Sequence, residues 1–207
     1  MAIPDTSVSL LIQLKDPENR PAWESFVRLY GPLLYGFGLR RGIPRDEADD
    51  FAQDVLLQVS RSMERFEYDP AAGTFRSWLF QVARHVLMNR NRALSCRPGL
   101  TGGSSMMRVA EDSLAHEAEE KLRQEWELEY RRQLFARAAA RIEAEVDPQI
   151  WAAFWRTAVL EESAEAVAAD LGIAIGTLYV RRSRLLARVK QAVGEREAEW
   201  EAHEALA

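Results

Sequence analysis

The sequence predicts an all-α protein: two small helical domains joined by a flexible linker, the second containing a helix-turn-helix. Three observations lead there. Apolar residues recur at i, i+3 and i+4 along most of the chain, and no run of alternating β-branched residues bounded by turns appears. The stretch Arg97-Pro-Gly-Leu-Thr-Gly-Gly-Ser-Ser105 concentrates residues that oppose regular structure. At 207 residues the chain is long enough for two small cores. The expected organisation is residues 1–95, a linker over 96–125, a second domain over 126–194 and an acidic tail over 195–207.

The first helix is marked by Trp23, Phe26, Val27 and Tyr30. An interruption is expected at Gly31-Pro32, with the stripe resuming through Leu33, Leu34 and Phe37 until Gly42 and Pro44 stop it. A second helix opens near Asp46 and carries Phe51, Val55, Val59 and Met63 at steps of four. Its early acids complement the helix dipole. After the turn-prone Asp69-Pro-Ala-Ala-Gly73, a third helix is expected from about Phe75 to Arg92. Winding it at about 100° per residue places Phe75, Trp78, Leu79, Val82, Ala83 and Val86 on the core face. Arg76, Arg84 and Arg92 then share the exposed face with Phe80 and Met88, an arc suited to stacking and phosphate contact.

In the second half, Trp126, Tyr130, Leu134 and Phe135 begin an apolar stripe that continues through Ile142. Beyond Asp147-Pro148 it resumes through Ile150, Trp151, Phe154 and Trp155. Two short helices meeting at Leu171-Gly-Ile173 then make a helix-turn-helix pattern, with Gly172 able to take the positive φ that ends the first. On the second of these helices Leu178, Leu185, Leu186 and Val189 form the expected packing face. Thr177, Arg181, Arg184 and Arg188 fall on one narrow stripe, as a helix entering a major groove requires.

Charge is segregated along the chain. Lys and Arg number 27 against 32 Asp and Glu, a net −5, yet Phe75–Arg97 holds five arginines and no acid, and Leu171–Val193 four arginines, a lysine and no acid. Between them Glu111–Glu129 carries eight acids against Lys121 and Arg123. Two cationic blocks point to two polyanion-contacting modules, so the net acidity is no objection to nucleic acid. No apolar run is long enough to span a membrane, and no basic stretch with an apolar core opens the chain. One cysteine, Cys96, and three scattered histidines offer neither an internal disulfide nor metal-ligand spacing. The expectation is a cytoplasmic protein without cofactor, metal or membrane partner. No nucleophile, base and orienting group come together, so no enzyme is expected.

Three motifs, in order and spacing, resemble the extracytoplasmic-function (ECF) class of bacterial sigma-70 RNA polymerase sigma factors. Glu47-Ala-Asp-Asp-Phe-Ala-Gln-Asp-Val-Leu56 is similar to the family's acidic segment that binds the polymerase clamp. Phe66 together with Gly73-Thr-Phe-Arg-Ser-Trp-Leu79 and Val82-Ala-Arg-His85 resembles its minus-10 reading loop and strand-opening helix. Leu171-Gly-Ile173, Gly176-Thr-Leu178 and Ser183-Arg184 look like its minus-35 helix-turn-helix. Ala174 departs from the usual capping Ser, forfeiting about 1 kcal/mol. His85 replaces the usual Asn, and Arg182 occupies an often apolar position.

The resemblance implies a subunit that binds core RNA polymerase through Asp49, Asp50, Gln53 and Asp54. It implies minus-10 DNA contacts from Arg65, Arg76, Phe80, Arg84 and Arg92, and minus-35 contacts from Thr177, Arg181, Arg184 and Arg188; the place of Arg181 early on the recognition helix makes it the best candidate for a guanine. Promoter DNA and core polymerase are the expected partners, and the resemblance raises an anti-sigma factor as a third. The competing reading is a free-standing helix-turn-helix regulator, which has no need of the acidic Glu47–Asp54 face. A protein-binding adaptor is a further class, opposed by the gathering of the arginines onto two arcs.

Overall fold

The computed structural model describes residues 8–66, 74–95 and 108–205. Every regular element among them is a helix: α1 (Val8–Gln13), α2 (Arg20–Arg40), α3 (Arg45–Met63), α4 (Phe75–Ser95), α5 (Arg108–Glu143), α6 (Pro148–Ala158), α7 (Ala164–Asp170) and α8 (Ile175–Ala205). The all-α class is therefore as the sequence predicts. The expected turn at Asp69–Gly73, most of the loop from Arg65 to Thr74 and the boundary stretch Arg97–Ser105 lie outside the described residues. Two compact units emerge. The first runs to Arg131 and takes in the end of α8 from Trp200; the second is Arg132–Glu199.

In the first unit, Asn19 caps α2 by accepting the Ala22 amide at 3.2 Å, and a proline in the first turn costs no hydrogen bond there. The helix does not break at Gly31-Pro32 as the sequence predicts; it continues to Arg40 with Pro32 inside. Proline there removes one backbone donor, a cost of about 3 kcal/mol. Leu29, Tyr30, Leu33, Leu34 and Phe37 are all buried along the continued stripe, and at about 1.5 to 3 kcal/mol per large side chain that burial outweighs the loss.

Helix α3 packs between α2 and α4 and buries Phe51, Val55, Val59 and Met63 completely, the step-of-four stripe of the sequence. Asp46 and Glu47 occupy its first turn. On α4 the buried residues are Phe75, Leu79, Phe80, Ala83 and Leu87. This arc is rotated from the expected core face: Trp78, Val82 and Val86 are only half-buried, and Phe80 is inside. The reason is a second neighbour. Trp126 of α5, 1% exposed, packs its ring 5.8 Å from Phe80 and 5.2 Å from Phe37. The expected linker over 96–125 is correspondingly corrected: from Arg108 onward it is helix, continuous with the stripe beginning at Trp126.

In the second unit, Asp147 caps α6 through the Gln149 and Ile150 amides, and Ser163 caps α7 through that of Ala166. The Glu165 backbone amide, followed by the Ser163 hydroxyl, holds the Glu165 carboxyl below its ordinary range. Gly172 takes φ +65° in the turn between α7 and α8. Two cores result. Ala153, Ala164, Val167, Ala168 and Leu178 close the helix-turn-helix, while Ala139, Ile142, Trp151, Phe154, Leu185 and Val189 anchor the later part of α8.

Close approach of α2 and α3 depends on Gly38, where an added Cβ would lie 2.8 Å from the Phe51 ring. Gly38→Ala should lower the urea midpoint of the helical circular dichroism signal, the overpacking cost of about 1 to 3 kcal/mol exceeding the gain in helix propensity of about 1. Gly194→Ala in α8, where an added Cβ meets nothing within 4 Å, should be neutral or stabilising in the same measurement.

Candidate functional site

Three surfaces hold the residues that the sequence singles out. The first is the outer face of α3. Because Phe51, Val55 and Val59 turn inward, Asp49, Asp50, Gln53 and Asp54 are turned out, and all four are exposed. No ion pair or side-chain hydrogen bond engages them among the described residues. Glu47, one turn earlier, is instead held by Arg90 of α4. The acidic stripe ends on Leu57, 55% exposed one turn beyond Gln53 and Asp54. Sequence reasoning missed Leu57; its signal is its place off the 51, 55, 59, 63 register in an otherwise amphipathic helix.

The second surface is the arginine arc of α4. Arg76, Phe80 and Arg84 are brought together, but not toward solvent. The acidic half of α5 lies over them. Arg84 donates to Glu119 at 3.1 Å; Arg76 sits 3.4 Å from Glu127, and its guanidinium is stacked 4.3 Å over the Tyr130 ring. Arg40, the last residue of α2, donates to Glu129 at 2.8 Å, and Arg41, its C-cap, to Glu125 at 2.7 Å. Phe80 is 3% exposed, so its assignment to an exposed stacking face is corrected: it is a core ring shared with Trp126. Arg92 and Arg65 remain exposed. The sequence signal for this cover is the row Leu122, Trp126, Tyr130 at steps of four inside the acidic segment, an apolar seam flanked by glutamates.

The third surface is α8. With Thr177 at 0°, the buried residues Leu178, Leu185 and Val189 centre near 100°. Leu186, expected on the packing face, lies at its far edge and is 36% exposed. Arg181 and Arg182 flank the buried face at about 40° and 140° and are half-buried. The Arg181 Nη1 is itself buried without a hydrogen-bond partner. Thr177 and Arg184 are exposed, as are Val180 and Ser183, which the sequence reading left out. Arg188 is paired with Glu145, in the turn between α5 and α6.

The turn that aims this helix is braced twice. Gln149 donates to the Leu171 carbonyl at 2.8 Å, and Arg156 bridges Glu162 and Asp170. Those carboxylates push the Arg156 guanidinium still further above its ordinary value.

Residues 26–95 match the family model for sigma-70 region 2. Those residues contain α3 and α4 and hence the first two surfaces. The chain is 27% identical over 78 residues to the ECF RNA polymerase sigma factor RpoE of Cereibacter sphaeroides, covering 38% of this chain and 42% of that one. It is 25% identical over 77 residues to the ECF RNA polymerase sigma factor SigE of Mycolicibacterium smegmatis, covering 37% and 28%. A longer match, 28% identical over 152 residues, relates it to the ECF RNA polymerase sigma factor SigL of Mycobacterium tuberculosis, covering 73% of this chain and 77% of that one. The chain thus spans less than half the length of the first two relatives. Residues 26–95 carry a sigma-70 region 2, and the chain is similar to ECF RNA polymerase sigma factors over up to 73% of its length. Among the described residues no helix is long and apolar enough to cross a membrane.

Proposed function

We propose that this protein is a promoter-specificity subunit: it binds core RNA polymerase and directs initiation by recognising minus-10 and minus-35 elements. The observation that carries the reading is the outward stripe of Asp49, Asp50, Gln53 and Asp54, ending on exposed Leu57. Carboxylates without intramolecular partners contribute little to folding, and they steer encounter with a basic partner. The adjoining exposed Leu57 adds apolar surface that an interface would take out of water. A free-standing regulator has no use for this stripe, and so is not favoured. No catalysis of its own enters the reading, and the protein would work in the cytoplasm, where polymerase and promoter are.

The two cationic surfaces supply the DNA contacts in this reading. Arg65 and Arg92 are the outward cations of the minus-10 surface, with Arg76 and Arg84 available once their glutamates part from them. On the minus-35 surface the angular placement favours Arg184 and Thr177 over Arg181 for base contact. A residue about 120° from the buried centre reaches outward, whereas one about 60° from it runs along the packing edge. Val180 adds an apolar group of the kind that reads a thymine methyl. Arg188 suits a phosphate, in exchange for Glu145.

Reversing Asp50 and Asp54 to Lys should abolish co-purification with core polymerase while leaving the helical circular dichroism unchanged; undiminished co-purification would remove this face from the account. For the minus-35 surface, Arg184→Ala should relax preference at one or two base pairs, worth roughly 1 to 3 kcal/mol of discrimination, in a randomised binding library. Arg181→Ala should alter preference less. The reverse ranking would shift the register of the reading face toward Arg181.

A further inference from the structure

The acidic half of α5 does more than balance charge. Its glutamates pair with arginines at both ends of the contact: Glu119 with Arg84 and Glu127 with Arg76 on α4, Glu129 with Arg40 on α2. Between them Trp126 is buried to 1% against Phe37 and Phe80. The fit is shaped as well as charged. Gly36 leaves a notch in α2 that the Glu129 side chain fills; a Cβ there would lie 2.6 Å from its Cδ and 3.2 Å from its Cγ, and that side chain is only 8% exposed. Carboxylates spaced along one helix face present to these guanidiniums what a phosphate backbone presents, namely a row of anionic oxygens. A tryptophan among them resembles a stacked base in size and flatness.

We propose that residues 117–130 act as a built-in nucleic-acid mimic that masks the Arg76–Arg84 face, so that a single strand gains it only by displacing α5. This rests on the reading of that face as a strand-binding surface. Masking lowers apparent affinity by the fraction of molecules in which the face is open. Anything that weakens α5 docking therefore raises strand affinity without touching a DNA contact.

The test measures binding of a mixed-sequence single-stranded DNA oligonucleotide to the full chain by fluorescence anisotropy. Gly36→Ala is the informative variant, since it leaves net charge unaltered, favours α2 as a helix and expels Glu129 from its notch. It should bind about threefold to tenfold more tightly than the wild type, the range for loss of one partly buried charged contact. Glu119→Gln/Glu127→Gln should do the same. Glu117→Gln/Glu120→Gln makes the same change of charge at residues outside these ion pairs, and should gain clearly less. Unchanged circular dichroism confirms that each variant is folded.

If wild type, Gly36→Ala and both glutamine pairs bind equally, the masking proposal is overturned while the strand-binding surface stands. Equal gains by the two glutamine pairs, with none from Gly36→Ala, would likewise overturn it in favour of bulk electrostatics. Should no form bind the strand at all, the strand-binding reading falls, and the mask with it.

Discussion

The Phe37 ring holds the first unit together. It is fully buried, and it meets one aromatic ring from each helix around it: Phe51 of α3 at 6.5 Å, Phe80 of α4 at 6.4 Å and Trp126 of α5 at 5.2 Å. Tilted and edge-on pairs at these separations are favourable beyond the area they bury. Their larger effect is geometric. With Phe51 drawn in, α3 must turn Asp49, Asp50 and Asp54 outward; with Phe80 drawn in, α4 must turn Arg76 and Arg84 toward α5. Both charged surfaces take their direction from one apolar contact.

Charge alone would not produce this arrangement. Partly exposed ion pairs contribute about 0 to 1 kcal/mol each, so the pairs from Arg40, Arg41, Arg76 and Arg84 adjust how firmly α5 docks without driving the docking. Burial of Trp126 and Leu122 carries that. What the ion pairs contribute is register and exchangeability. A carboxylate half open to water can give up its arginine to another anion at small cost, whereas the rings beneath cannot be replaced by solvent.

The helix-turn-helix solves a related problem by different means. Its core is small, built largely of Ala153, Ala164, Val167 and Ala168, which let the helices approach closely. A core of that size aims a long helix weakly, and the polar braces compensate: Gln149 on the Leu171 carbonyl, and Arg156 between Glu162 and Asp170. The missing cap at Ala174 is tolerated because Leu178 is fully buried one turn later.

The sequence by itself determined the helical class, the α3 register, the helix-turn-helix with its positive-φ glycine, the segregation of charge and the resemblance to ECF sigma factors. Each of these follows from local spacing, and neither the 3.6-residue period nor the conformational freedom of Gly172 needs a distant partner to be legible. Only the tertiary structure decided the continuity of α2 through Pro32, the burial of Phe80, the half-burial of Arg181 and the cover that α5 lays over Arg76 and Arg84. These depend on which neighbour supplies the second wall of a helix. A helical wheel shows which residues share a face, but a face with two neighbours buries a wider arc than its apolar residues mark, and the sequence does not say that Trp126 comes back to Phe37 from 89 residues away.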